Sequence, residues 1–385
     1  MDTSTVGVVG LGTMGAGIAE VFARSGVAVV AVEATEDLAA QGRARIEKSL
    51  ARARDRGKLD PADHDAVLGR LTITADRADL AAVDLVVEAV PERLELKTAL
   101  FDDLDAICPD HTVFATNTSS LPVTRLAAAT RRPDRVVGMH FFNPAPVMRL
   151  VEVVHTVLTD PAVVEQVRDL ATACGKTPVV VRDRAGFVVN ALLFGYLNDA
   201  ARMAETGRRS VEEIDRLVVE ATGFPMGPLT LMDLIGLDVC VEVLEVMYDE
   251  TRDRRYAPAP LLKRLVMAGH LGRKTGRGYY SYDGGGGAGG DATPAVDVPS
   301  LDPAVAPERE QPGWVVGSLV FPHLDDAVRM LDDNYATRED IDTAMRLGCG
   351  YPRGPFTMLD EMRPHKVADV LDRLGYSYSP LLRYL

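Results

Sequence analysis

The chain is short of the features that mark several protein classes. Its four cysteines, Cys108, Cys174, Cys240 and Cys349, are scattered without paired spacing, which argues for free buried thiols rather than disulfides or a zinc site, so no metal is expected. No apolar run approaches the roughly 20 residues of a membrane span. The opening "MDTSTVGVVG" enters a strand pattern at once and leaves no room for a signal peptide. A cytoplasmic protein without a membrane partner is the expectation. Basic charge is also short: 42 Lys and Arg against 56 Asp and Glu give a net charge of −14, which opposes nucleic acid as a partner. Lysine itself is scarce, 7 residues against 35 arginines, a bias that reads as genome composition rather than chemistry. What is plentiful is apolar sequence. At 385 residues and 47% hydrophobic, the chain can bury cores for two or three domains.

Residues 5–140 alternate short β-rich runs ("VGVVG", "VAVVAVE", "LTITA", "LVVEAV", "TVFAT", "RVVGMH") with helical stretches, the pattern of βαβ units and a mainly parallel sheet. "LVEVV" and "TPVVVRD" read as two further strands around a helix at 161–174. From Gly186 to about 269 the β signals stop, and three amphipathic stretches follow: "GFVVNALLFGYLNDAARMAE", "SVEEIDRLVVEA" and "GPLTLMDLIGLDVCVEVLEVMYD". Each is read as one helix, the third opened by Pro228 in its first turn. Residues 283–313, rich in Gly, Ala, Pro and Asp, read as a flexible linker. Beyond it a gapless shift of 127 residues sets "WVVGSLVFPHLDDAVRM" on "FVVNALLFGYLNDAARM" and "GYPRGPFTMLDEM" on "GFPMGPLTLMDLI", so one helical unit occurs twice. The fold expected is an α/β Rossmann-type dinucleotide-binding domain over 1–184, an all-α domain over 185–282, the linker, and a second, degenerate helical copy over 314–385.

"VGVVGLGTMGAGIAEVFARSGVAVVAVEAT" places Gly10, Gly12 and Gly15 between a strand and a helix, with Glu33 ending the next strand 18 residues after Gly15. That context, more than the spacing alone, marks a dinucleotide site. A carboxylate at Glu33 accepts hydrogen bonds from ribose hydroxyls and repels a 2′-phosphate, and "EATED" offers no adjacent arginine; the cofactor expected is NAD. His140 ends the strand "RVVGMH", at the edge where such sheets bind ligands. Glu152 lies inside the apolar run "LVEVV", where a lone charge is costly and needs a partner. A hydrogen bond from His140 would supply one, fixing the imidazole tautomer and stabilising its cationic form beside a hydride acceptor. On their own, such a His and Glu are more often a structural pair.

In order, "GLGTMGAGIA", "EAVPERLELK", "NTSSLPVT", "HFFNPAPVMRLVEVV", "RAGFVVNALL", "GFPMGPLTLMDLIGLD" and "GRKTGRGYYSY" make residues 5–282 resemble the (S)-3-hydroxyacyl-CoA dehydrogenase family, 3-hydroxybutyryl-CoA dehydrogenases included. The resemblance implies reversible, NAD-linked interconversion of a 3-hydroxyacyl-CoA and a 3-oxoacyl-CoA, with His140 and Glu152 as catalytic pair and Ser119 and Asn190 on the substrate. For the cofactor it implies Thr13, Met14, Glu92, Lys97, Asn117, Asn143 and Lys274 besides the glycines and Glu33. For the CoA moiety it implies Ser49 and Arg56, the latter an arginine where the family usually has lysine. These two lie in "RARIEKSLARARDRGK", which carries seven basic and two acidic residues. By itself that run reads as a solvated helix face, but it also suits the phosphates of coenzyme A.

The acyl group is left open between a short chain such as 3-hydroxybutyryl and a dicarboxylyl chain such as 3-hydroxyadipyl. An acyl carrier protein in place of CoA, a related enzyme acting on a free acid, and a non-enzymatic NAD-binding protein are the rival readings. In the second copy Gly317 stands where Asn190 stands in the first; it has lost the amide and reads as architectural. In short members of the family the helical domain forms the dimer interface, so the chain is expected to be a homodimer or a monomer with an internal pseudo-dimeric repeat.

Overall fold

Valine-rich runs four to six residues long form one sheet, because β-branched side chains suit a pleat buried on both faces. The computed structural model describes residues 3–207, 209–282, 292–296 and 312–385. Its first unit, Met1–Phe187, runs β1 (Thr5–Val9), α1 (Thr13–Arg24), β2 (Ala28–Val32), α2 (Glu36–Asp55), α3 (Pro61–Gly69), β3 (Leu71–Thr74), β4 (Leu85–Glu88), α4 (Leu94–Ile107), β5 (Val113–Thr116), α5 (Val123–Ala127), β6 (Val136–Phe141), β7 (Leu150–His155), α6 (Pro161–Ala173) and β8 (Thr177–Arg182). The strand order is β3-β2-β1-β4-β5-β6-β7-β8. Strands β1 to β6 are parallel neighbours, β7 turns back antiparallel to β6, and β8 runs parallel to β7. The order reverses at β1, which opens a crevice beyond the carboxyl ends of β1 and β4. Val6, Val8, Leu85, Val87, Val113 and Ala115 are fully buried, with Ile18 and Phe22 of α1 in the same core. Phe187, three residues past the expected boundary, belongs to this unit; its ring lies 5.6 Å from that of His140.

The second unit, Val188–Leu385, is helical: α7 (Val189–Glu205), α8 (Val211–Thr222), α9 (Pro228–Ile235), α10 (Leu237–Thr251), α11 (Pro260–Met267), then α12 (Pro312–Asp332), α13 (Arg338–Cys349), α14 (Pro355–Met362) and α15 (Pro364–Leu374). The stretch from Pro228, read as one helix, is two. Gly236 breaks it at φ +107°, a conformation closed to most side chains. Within the expected linker, Ala292–Pro294 (β10) pairs antiparallel with Tyr280–Tyr282 (β9); residues 283–291 and 297–311 lie outside the described residues. The two helical copies, expected as separate domains, are one unit because they share their apolar faces.

That sharing follows the 127-residue shift. Phe224 stacks on its equivalent Tyr351 at 3.7 Å and 12°, and Tyr196 meets its equivalent His323 at 5.2 Å. A Cβ on Gly223 would stand 3.5 Å from Pro352, and one on the equivalent Gly350 would stand 3.7 Å from the equivalent Pro225. Asp215 accepts the amides of Leu229 and Thr230, as Asp342 accepts those of Phe356 and Thr357. Reciprocal contacts of this kind are the signature of a twofold interface, here inside one chain.

His323 sits on that axis, 1% exposed. Its Nδ1–H donates to the Leu192 carbonyl at 3.2 Å, and the Tyr351 hydroxyl donates to Nε2 at 3.4 Å. Burial pulls the imidazole down from 6.5 to about 4, against the smaller upward effect of the Leu192 bond. Between those values the unfolded chain binds a proton that the folded chain refuses, so His323 supports stability above pH 6.5 and withdraws that support as pH falls towards 4. Asp233, raised by burial to about 6, acts with the opposite sign, so the test compares variants. Wild type should lose about 3 kcal/mol more than His323→Phe between pH 7 and pH 4 in denaturant unfolding; parallel pH curves would contradict this.

Candidate active site

The glycine loop is shaped by three different demands. Gly10 has φ +91°, and a Cβ there would lie 2.8 Å from the Ala89 carbonyl oxygen; a Cβ on Gly15 would lie 1.7 Å from that of Gly10. Neither position admits a side chain. Gly12 has nothing within 4 Å of its missing Cβ and is exposed, as is Thr13, so this is the side from which a ligand can approach the backbone. Met14 is half-buried against the core. Helix α1 has no side-chain cap and no acid in its first turn, which leaves its amino-terminal N–H groups for an anion. Glu33 follows β2 and accepts the Leu11 amide at 2.6 Å and the Ala34 amide at 3.0 Å, so its carboxylate stands against the loop. These residues fit an adenine dinucleotide: open backbone and helix dipole for the pyrophosphate, a carboxylate for the ribose.

Across the β6–β7 pair, His140 lies directly opposite Glu152. Both are buried, at 5% and 0% exposure, and His140 Nδ1 stands 2.7 Å from Glu152 Oε2. An ionised carboxylate only accepts, so Nδ1 carries the proton and donates it into this bond. Nε2 is then the basic nitrogen, and the Ser119 hydroxyl donates to it at 3.1 Å. The rings of Phe142 and Phe187, at 4.6 Å and 5.6 Å, pack the imidazole on its sides. Asn117 Oδ1 accepts the Phe141 amide at 2.8 Å, tying the β5 end to the β6 end.

The Ser119 loop is held from below. Glu92 accepts the amides of Ser119 at 2.9 Å and Ser120 at 3.3 Å, and the Thr118 hydroxyl. Burial works against its charge, but Lys97 at 3.2 Å and these donors outweigh it and keep its carboxyl below the usual range. Lys97, expected at the cofactor, is only 1% exposed and lies between Glu92 and the fully buried Glu88, whose oxygens it reaches at 2.7 and 2.8 Å. Its place is beneath the loop. Glu88 also takes the Thr116 hydroxyl at 2.6 Å and the Val90 amide at 2.7 Å. Sequence reading missed Glu88, although a carboxylate inside "LVVEAV" is the same signal that singled out Glu152.

A groove of about 290 Å³ lies between α1, α2 and the β6–β7 connection. Ser49 lines it with Arg45, Lys48 and Arg52, facing Asn143, Pro144, Ala145 and Pro146. Arg56 caps the carboxyl end of α2 and is exposed, outside this lining; the groove's own cations lie one to three turns earlier on the helix. Asn143 is exposed and precedes Pro144 through a cis bond. In the second unit, Asn190 is half-buried in the first turn of α7, and Lys274 pairs with Asp238 at 2.6 Å. Among the described residues no cluster of His, Cys, Asp and Glu could hold a metal ion.

Residues 5–184 match the family described as "3-hydroxyacyl-CoA dehydrogenase, NAD binding domain". Residues 186–282 and again 313–380 match "3-hydroxyacyl-CoA dehydrogenase, C-terminal domain". The chain is 50% identical to a 3-hydroxybutyryl-CoA dehydrogenase of Mycobacterium tuberculosis over 279 residues, 72% of this chain and 98% of that one. It is 43% identical to the mitochondrial hydroxyacyl-coenzyme A dehydrogenase of Mus musculus, covering 72% and 90%. The crystal structure of 3-hydroxybutyryl-CoA dehydrogenase from Escherichia coli superposes with a TM-score of 0.91 at 33% identity, over 100% of this chain and 98% of that one.

Proposed function

Because the chain belongs to the 3-hydroxyacyl-CoA dehydrogenase family, we propose that it interconverts an (S)-3-hydroxyacyl-CoA and a 3-oxoacyl-CoA with NAD, on a short chain such as 3-hydroxybutyryl, using His140 as general acid and base. The observation that carries this reading is the 2.7 Å bond from His140 Nδ1 to Glu152, which leaves Nε2 basic and facing Ser119. NAD, when bound, supplies the acceptor for the hydride that leaves C3. Nε2 takes the proton of the C3 hydroxyl as its carbonyl forms, and Glu152 stabilises the resulting imidazolium. The Ser119 hydroxyl, which donates to Nε2 without substrate, turns to donate to the C3 oxygen. For Asn190, in the second unit, a substrate contact is proposed on the family resemblance alone. In reduction the same imidazolium returns the proton. Gly10, Gly12, Gly15 and Glu33 hold the dinucleotide, with Glu92 and Lys97 fixing the loop beside it.

NADH absorbance with purified protein tests this against acetoacetyl-CoA, longer 3-oxoacyl-CoAs, 3-oxoadipyl-CoA and a carrier-protein thioester. Oxidation fastest on acetoacetyl-CoA is the expected result. A preference for 3-oxoadipyl-CoA or the carrier-bound group would reassign the substrate, and tight NADH binding without turnover on any thioester would revive the non-enzymatic reading.

The partners proposed are an acyl-CoA and NAD, in the cytoplasm. No helix among the described residues is long and apolar enough to cross a membrane. The internal twofold within residues 188–385 supports a chain that supplies its own helical partner and works as a monomer.

A further inference from the structure

We propose that Lys176, outside the groove on α2, and Gly17, in its lining, set the position of the connection 142–149 as one wall of that groove, and so determine affinity for the carrier arm of the thioester. This inference rests on the acyl-CoA reading above. The connection joins His140 on β6 to Glu152 on β7, and its residues Asn143 to Pro146 face Lys48, Ser49 and Arg52 across the groove. Two independent contacts hold it. Lys176, at the entry to β8 and 9% exposed, donates from Nζ to the Ala145 carbonyl at 2.6 Å and the Met148 carbonyl at 2.8 Å.

No carboxylate among the described ion pairs answers that ammonium, so the two carbonyls carry its charge. Glu20, Arg24 and the Cys174 thiol lie near enough to act on it through space. A buried lysine solvated by the backbone of one loop is costly unless that loop stays where it is. From the other side the connection rests on Gly17 of α1: a Cβ there would stand 3.1 Å from Pro146 and 3.2 Å from Ala145. A methyl group at Gly17 would push the wall outward by a few tenths of an ångström.

Arg45, Lys48 and Arg52 outnumber the one carboxylate of the groove, Glu20, and suit the phosphates of the carrier, while Glu152 holds the imidazole, Glu92 the Ser119 loop and Glu33 the glycine loop. Phe142 against His140 and Asn143, expected at the cofactor, stand at the start of the connection, whereas Lys176 and Gly17 hold Ala145, Pro146 and Met148, so moving that part of the wall acts on carrier binding more than on chemistry.

The experiment compares wild type, Lys176→Met, Lys176→Arg and Gly17→Ala in NADH-linked reduction of acetoacetyl-CoA and of the N-acetylcysteamine thioester of acetoacetate, which lacks the nucleotide and its phosphates. Lys176→Met should raise KM for acetoacetyl-CoA roughly tenfold, a scale set by losing a charged donor, with kcat and KM for NADH within about twofold and the short thioester unaffected. Lys176→Arg, still a donor, should recover most of the loss, and Gly17→Ala should show the same selective rise in smaller measure. An unchanged KM for acetoacetyl-CoA, or an equal loss on both thioesters, overturns the proposal; if Lys176→Met does not fold, Gly17→Ala decides. Should wild type not turn over acetoacetyl-CoA, the catalytic reading has failed, and calorimetric binding of free CoA by the same variants still decides this one.

Discussion

His140→Ala should lower kcat for reduction of a 3-oxoacyl-CoA by about 10²–10⁴-fold, the usual worth of a positioned general acid or base, while KM for NADH stays within about twofold. The split follows from the geometry. His140 contacts Glu152, Ser119 and two aromatic rings, whereas the dinucleotide loop is built by Gly10, Gly12, Gly15 and Glu33. Glu152→Gln should come close to the same loss for a different reason. A glutamine amide can donate to Nδ1, which favours the tautomer with hydrogen on Nε2, and that nitrogen can then no longer accept a proton. Ser119→Ala should cost less, since it removes one neutral donor. Steady-state kinetics with fluorescence titration of NADH checks all three. If His140→Ala keeps a tenth or more of wild-type kcat, the imidazole is a structural partner of Glu152 and the base lies elsewhere.

The pair at the centre of this prediction was legible in the chain because both residues interrupt apolar strands, and charge in a buried strand demands an explanation. Glu88 carries the same mark in "LVVEAV" but sits nine residues before Lys97, with no feature in the sequence that joins the two; the fold does so by laying α4 over the end of β4. Lys176 left no trace of its role either. Its partners are backbone carbonyls some thirty residues away, and carbonyls have no sequence identity. The break at Gly236 was masked by strong helical periodicity on both sides, which one positive φ overrides. The β10 pairing with β9 lay in a stretch whose composition has no periodicity at all. Repeats, by contrast, are legible at any distance, since a fixed shift needs no knowledge of contacts; the shift offered packing of the two copies on each other as one alternative, beside a homodimer, and could not name the residues that meet.

That fusion makes the second large prediction. Removing residues 283–385 strips α12 to α15 from α7 and α8, uncovering Leu192, Tyr196 and Phe224, all at most 3% exposed in the intact chain. Each such side chain returned to water costs about 1.5–3 kcal/mol, and the ion pair of Arg255 with Asp326 and the bond from Arg353 to the Thr222 carbonyl go with them. A monomer would not keep its stability after such a loss. Because the lost interface is self-complementary, two truncated chains can meet through the same face, with Phe224 stacking on its own copy where Tyr351 had been. The truncated protein should therefore run as a concentration-dependent dimer in sedimentation velocity, or precipitate, with a melting temperature that rises with protein concentration, while the full chain sediments as a monomer. Phe224→Asp in the truncated form should block the dimer and leave an aggregating species, because the charge faces its own copy across the axis. A truncated chain that is monomeric, soluble and as stable as the parent would mean that the second copy is an appendage rather than an internal partner.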